Sequence, residues 1–496
     1  MKATKHISIL LIFLILALIL AMSFATSCKS VSDKNDNDNE NKTPAAGIDE
    51  IETIDPVQEI RDSLPDDLDF GGQTLTVFAA NLNEVYSDGE NGDIINDAIF
   101  KRNRTVEERL NLKINVIESP PWWEYETTLS LIRKSTMSGV DGYDLIYGWS
   151  ALMPHLSVEG LFLDLHDASF LDLSAPWWNQ SIINESTVEG KLHFIVGDAA
   201  LSLLQTYSAM LINNEILKEY QLPDIYGVVF DGKWTLDYMG NLVKDIYKDL
   251  NGDTVMDEKD LFGCVFDNVN QIDGFMQASN IKMIGKDEED IPYLDVETEK
   301  LSTLVDKVYN LMYNNQGVMV FDLYEGEKVM PMFKNNHALI APILLADVVD
   351  SFKGMEADYS IVPYPKYDEA QDKYYSRIQD GVSLLCVPVS CDKTEMVGAF
   401  MEAMGSESYK NLTPAYFEIA MKVKYARDET SSKMLDIVRE GSYLNFASIY
   451  NTRIGTPWNM LRDLMEAKNN NFASWYEKNE RAMESNLKEV VKEMTK

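Results

Sequence analysis

Cysteine and histidine are scarce in this chain of 496 residues, four of the one and five of the other, with no Cys-x-x-Cys and no His-Glu-x-x-His. Zinc sites and thiol nucleophiles therefore have almost no material to work with. Basic charge is short as well. Lys and Arg number 44 against 80 Asp and Glu, a formal net charge of −36. So negative a surface repels nucleic acid and anionic lipid headgroups, and neither is expected as a partner. What is present is ordinary for a globular protein: 45% hydrophobic and 25% charged residues. The length suffices for two or three domains with a large core.

The N-terminus sets the compartment. Lys2 and Lys5 precede an apolar run from Ile7 to about Met22, and small residues follow as far as Cys28. A charged start, an apolar middle and small residues at the cut describe a secretory signal. Ala25-Thr26-Ser27-Cys28 resembles the lipobox of bacterial lipoproteins, in which the Cys is acylated and becomes the first residue; Ala25 stands where that motif usually has Leu. The alternatives are a plain signal peptide or an uncleaved anchor. From Lys29 to about Ala46 the chain is polar and too poor in apolar residues to fold, as a flexible tether would be. The expected division is a signal over 1–28, an acidic tether over 29–69 and an extracytoplasmic body, lipid-anchored through Cys28 to the outer face of the cell membrane. Cys264, Cys386 and Cys391 then remain. Three cannot complete a disulfide framework, and Cys386 and Cys391 are expected to pack as small hydrophobes.

The sharpest chemistry in the body lies at 249–260, DLNGDTVMDEKD. Oxygen-bearing side chains fall at loop positions 1, 3, 5, 9 and 12, which are Asp249, Asn251, Asp253, Asp257 and Asp260, and Val255 at position 7 offers a carbonyl. That is EF-hand spacing, which wraps hard oxygens around Ca²⁺. Thr254 stands where a Gly usually turns the chain, and Asp260 where a Glu usually closes it. The loop occurs once, which suits a structural staple at a helix end better than a switch. The bland alternative is an acidic surface turn with no ion.

The body alternates. Strands are expected at Gln73–Ala80, Leu112–Ile117 and Tyr143–Tyr147, and helices at Asp93–Leu110 and Leu129–Met137. This is α/β alternation around a mainly parallel sheet. Ligands of such sheets bind at the carboxyl ends of strands, which puts Asn81, Glu84 and Trp149-Ser150 on one rim.

Further along, GYDLIYGW, EGLFLDL, PWW, EGKLHFIVGDAALS, NNEIL, GKWTLDYMGNLVKDIYKDLNGD, FKNNHALIAP and YSIVPYPKYDEAQDKYYSR follow one another. This ordered set, from about Phe70 to the C-terminus, resembles the extracellular solute-binding proteins (family 1 type) of bacterial carbohydrate ABC transporters. The resemblance implies a two-lobe α/β clamshell of the periplasmic-binding-protein type II class, each lobe a sheet flanked by helices, joined by a hinge. One lobe would hold 70–196 plus 340–404, with FKNNHALIAP crossing between lobes, and the other 197–339 plus 405–496. It further implies a monomer that captures a carbohydrate, delivers it to an ABC transporter permease and catalyses nothing.

A sugar ring shows C–H patches on its faces and hydroxyls at its edge, so its site needs flat aromatic faces beside carboxylates and amides. The resemblance places Trp149 and Trp458 as stacking faces and Asp198 as a hydroxyl-binding carboxylate; Asn81, Glu84, Tyr207 and Asp380 are further candidates. Trp234 is assigned to structure, ahead of Thr235 as a helix N-cap, and Trp177 and Trp178 are left outside the site. Two other function classes use the same materials: a glycoside hydrolase with paired carboxylates, and a surface adhesin or sensor lipoprotein.

Overall fold

The computed structural model describes residues 60–139, 142–269, 271–351, 358–422 and 429–495. The signal segment, Cys28 and most of the expected tether lie outside the described residues. No helix among the described residues is long and apolar enough to cross a membrane.

Two sheets organise the body. In the first, β1 (Gln73–Ala79) pairs in parallel with both β2 (Leu112–Glu118) and β3 (Leu145–Trp149). The second contains β4 (Ser208–Asn213), β5 (Tyr247–Lys248), β6 (Leu261–Asp267), β7 (Val318–Phe321), β8 (Ala338–Leu344) and β9 (Tyr359–Val362). Its order is β9-β4-β8-β6-β5, with β7 also on β6. A short pair, β10 (Ser376–Arg377), precedes β11 (Ser383–Cys386), which runs antiparallel to β3 and completes the first sheet. Every residue of β3, β4 and β6 is buried, as expected of sheets covered on both faces.

Local sequence explains the helices that cover them. α1 (Ile94–Leu110) starts where Asp93 accepts from the amides of Ile95 and Asn96, and ends at Asn111 in the left-handed conformation (φ 46°). α2 (Tyr125–Ser138) buries Leu129 and Ile132 and begins a turn earlier than the sequence suggests. α3 (Asp273–Ala278) follows β6, and α4 (Thr394–Glu407) follows β11. α5 (Glu429–Glu440), α6 (Met460–Glu466) and α7 (Phe472–Met494) form the C-terminal helical region.

The chain passes between the sheets along two neighbouring segments, bridged at Ile195–Leu385 and Tyr207–Ile378. At Gly197 a side chain has no room, because a Cβ would lie 2.0 Å from the Trp177 carbonyl oxygen. Trp234 is fully buried and donates to the Pro363 carbonyl at 2.9 Å, and Thr235 caps the following helix through the amide of Tyr238.

Two expected boundaries move. β8 and β9 pair with β4 in the second sheet, so residue 340 lies inside a strand at the heart of that sheet rather than between lobes. The body also begins before Phe70. Asp62 accepts two hydrogen bonds from Arg109, at 2.6 and 2.7 Å, and Leu64 is buried.

Candidate functional site

The carboxyl ends of the two sheets face one cleft. On the first sheet that end carries Asn81, just past β1, and Trp149-Ser150 at the end of β3. Asn81 donates through Nδ2 to the Gly381 carbonyl (3.2 Å) and to Ser383 Oγ (2.9 Å), while its Oδ1 accepts from Trp149 Nε1 (3.4 Å). Ser150 Oγ donates to the Asp380 carbonyl at 3.0 Å. The rim is therefore sewn to the 380–383 turn by amides and hydroxyls. Glu84 belongs to this network from below: it is buried, and its Oε1 accepts from Ser383 Oγ at 2.7 Å. Burial pushes its carboxyl up, against hydrogen bonds from Ser383, Ser202 and Asn81. It supports the rim and has no open face for a ligand.

A cavity of about 180 Å³ opens beside this rim, lined by Ser150, Asp273, Arg377, Asp380, Trp458 and Arg462. Trp458 is held by its amide, which donates to Asn451 Oδ1 at 2.9 Å. Asp273, the first residue of α3, is buried between two guanidiniums: Arg462 Nε reaches its Oδ1 at 2.7 Å, Arg462 Nη2 its Oδ2, and Arg377 Nη2 its Oδ2 at 3.1 Å. A second cavity of about 250 Å³ lies at the carboxyl ends of β6 and β8, among Asp267, Gln271, Leu344, Asp347, Arg377 and Gln379. Arg377 belongs to both. Each cavity is below the ~300 Å³ usual for a small-molecule site. The linings combine two largely buried rings, Trp458 and Tyr364, with carboxylates, amides and guanidiniums, the groups that take ring hydroxyls.

Two expected site residues lie elsewhere. Successive residues of a strand face opposite ways; Ser208 lines the second cavity, and Tyr207 lines a separate hollow of about 460 Å³ with Trp177, Trp178, Asp198, Tyr409 and Arg439. Asp198 is buried there with Arg439 Nη2 at 2.9 Å, and burial raises its carboxyl to about 6 despite that cation. Asp198 and Tyr207 thus line a different hollow from Trp458 and Asp380. The candidates fall into three groups: Asn81, Glu84 and Trp149 on the rim, Asp380 and Trp458 at the cleft cavity, Asp198 and Tyr207 in a separate hollow.

The rim also holds rings that the sequence reading passed over. Trp149 is itself buried (7% exposed), and Trp122 meets it edge-on, centroids 5.2 Å apart at 82°. Trp122 (47%), Trp123 (79%) and Tyr125 (43%) stand exposed just past β2. The available signal was their place directly after a strand, the same argument that picked out Trp149. Arg377, Arg462 and Asp273 carried no such mark.

The acidic loop joins β5 to β6, two antiparallel strands, so it staples a hairpin and not a helix end. Its backbone is held by its own side chains. Asp249 accepts from the amides of Gly252 (2.6 Å) and Thr254 (3.0 Å), and Thr254 takes the positive φ (65°) that usually selects Gly. Its carboxylates do not converge. Asp253 and Asp257 accept from loop amides, and Asp260 turns inward to Tyr247 and the Leu250 amide. Among the described residues no group of three or more His, Cys, Asp or Glu side chains is placed to hold a metal ion. Cys264, Cys386 and Cys391 are free, and burial raises all three thiols, as expected of packing rather than pairing.

No family model matches the sequence, and no curated protein matches it. Solved structures do match. The GacH receptor of Streptomyces glaucescens, solved unliganded and with acarbose, is similar over 85% of this chain and 97% of its own at 12% identity, with a TM-score of 0.52. A cyclo/maltodextrin-binding protein complexed with maltotetraose covers 85% of this chain and 96% of its own at 13% identity and TM-score 0.52. An ABC substrate-binding protein of Listeria monocytogenes in complex with cycloalternan covers 86% and 99% at 12% identity and TM-score 0.50. At such identities the likeness establishes the fold: a two-lobed α/β clamshell.

Proposed function

We propose that this protein captures a carbohydrate, an oligosaccharide by preference, between its two lobes and hands it to an ABC transporter permease. The observation that carries the reading is the cleft where the carboxyl ends of both sheets meet, with Trp458 beside Asp380, Arg377 and Arg462. The three clamshell proteins above were solved with acarbose, maltotetraose and cycloalternan, all of them saccharides. Trp458, 5% exposed, would offer the part of its ring that lines the cavity to one sugar ring while the charged and amide groups take hydroxyls. Closure of the lobes over the ligand would favour the form that a permease recognises, by no more than the ligand's preference for that form. In this reading an acylated Cys28 holds the body at the outer face of the cell membrane, and Ca²⁺, once Asp249, Asp253 and Asp257 rotate toward it, stiffens the 249–260 hairpin without touching the ligand.

A hydrolase would need a proton-holding acid facing a free carboxylate. Asp273 is neutralised by two guanidiniums, and Asp380 is exposed to solvent; this supports binding without chemistry. The experiment is a thermal-shift screen of the body against mono- and oligosaccharides. Ligand at a thousandfold excess over Kd stabilises by about 4 kcal/mol, so one glycan class should raise the midpoint clearly. A silent sugar panel, or release of reducing ends, would remove the proposal.

A further inference from the structure

The strand that ends at Glu118 is followed by Ser119, two prolines and then Trp122, Trp123, Glu124 and Tyr125. Isolated exposed aromatics are ordinary. Three in four consecutive positions, on one turn at a ligand-facing strand end, are not.

The turn is stiff. The Ser119 amide donates to the Ala79 carbonyl at 2.9 Å, Ser119 Oγ lies 3.1 Å from Thr128 Oγ1, and the Glu124 amide closes onto the Pro121 carbonyl at 2.8 Å. Adjacent prolines fix two further φ angles. The rings are thus presented in place, with little ordering left for a ligand to enforce. Trp122 rests edge-on against buried Trp149 and lies 6.3 Å from Tyr125. Trp149 in turn is followed by Ser150, which lines the cleft cavity. The exposed rings therefore stand on the first sheet's rim, at the strand ends where Ser150 lines the cleft cavity.

Glu118, Glu124 and Glu126 are exposed around them. Carboxylates beside aromatic faces suit ring hydroxyls and oppose an anionic membrane surface.

We propose that Trp122, Trp123 and Tyr125 form an outer platform for a linear, neutral oligosaccharide, carrying the sugar rings that extend beyond those enclosed at Trp458. The protein then selects chains longer than its cleft can hold. This rests on the carbohydrate reading of the cleft and adds a subsite to it.

The test is calorimetric titration of linear gluco-oligosaccharides, from disaccharide to octasaccharide and in α- and β-linked series, into the wild-type body, Trp123→Ala and the Trp122→Ala/Trp123→Ala pair. Affinity of the wild type should rise with chain length. The double variant should lose about tenfold (~1.4 kcal/mol) on the longest chains and nothing on the shortest. Because Trp122 touches Trp149, the single Trp123→Ala variant separates lost stacking from disturbed packing: it should lose part of the same length dependence with an unchanged melting midpoint. Equal losses at all lengths, or none at any, overturn the platform. So does an unchanged length dependence with reduced binding to phosphatidylglycerol-containing vesicles, which would make the rings a membrane contact. A wild type that binds no member overturns it by removing the carbohydrate reading itself, a result distinct from binding without length dependence.

Discussion

Arg462 grips Asp273 across 189 residues of sequence, Nε to Oδ1 at 2.7 Å and Nη2 to Oδ2. The fork ties the C-terminal helical region to the helix that follows β6, and Arg377 closes on the same carboxylate from the crossing segment. Three parts of the cleft wall meet at one buried charge. Asp273→Ala leaves two guanidiniums facing each other without their anion and should cost ~3–5 kcal/mol, the range for breaking a buried ion pair from one side. Asp273→Asn, which keeps the shape and one acceptor, should cost less. Urea unfolding of both variants measures this, and equal losses would count against the charge argument.

Asp380 separates binding from stability. It is exposed, so Asp380→Ala should leave the unfolding free energy within about 0.5 kcal/mol of wild type. Lining the cavity beside Trp458, it should still be missed by a sugar, with affinity falling about tenfold for loss of hydrogen bonds to a charged group. Titration of any glycan found in the thermal screen decides it.

Glu402 predicts a pH dependence. Burial raises its carboxyl from 4.5 to about 7, although the indoles of Trp178 and Trp177 and the amide of Asp172 donate to it. The folded protein therefore keeps a proton that the unfolded chain has released between those values. The stability gained is fully present below about pH 4.5 and is lost as the pH rises through about 7. Glu402→Gln removes the titration and keeps an acceptor, so its melting midpoint should exceed the wild type's at about pH 8 and approach it at about pH 5. Parallel midpoint curves for the two proteins would be contrary to this.

The acidic hairpin predicts an ion effect confined to stability. Ca²⁺ should raise the melting midpoint, EGTA should reverse it, and Asp253→Ala should abolish the response while ligand affinity at room temperature stays nearly unchanged. A midpoint insensitive to Ca²⁺ leaves 249–260 as a turn held by its own side chains. A large affinity loss in EGTA would tie the hairpin to the cleft instead.

Much of the scaffold was legible because its causes are local. The cap at Asp93, the alternation through β1, β2 and β3, and the structural role of Trp234 and Thr235 follow from side-chain period and capping. The rim position of Asn81 and Trp149 was legible for the same reason, since both sit just past strand ends.

Which of those residues stands open and which is buried was decided by packing between distant segments. Tyr207 lines a different hollow from Ser208 because a strand sends neighbouring side chains to opposite sides, and Asp198 joins Tyr207 there beside Arg439. Glu84 was drawn under the rim by Ser383, 299 residues away. Trp149 was covered by Trp122, which took the exposed position. Sequence by itself determined many of the elements and which residues stand just past strand ends, since hydrogen bonding and hydrophobic period act over a few residues. Tertiary structure alone decided the carboxylate held by two guanidiniums, the exposed rings of the rim and the strand that lies within the second sheet, because burial is a property of the chain segments that happen to meet.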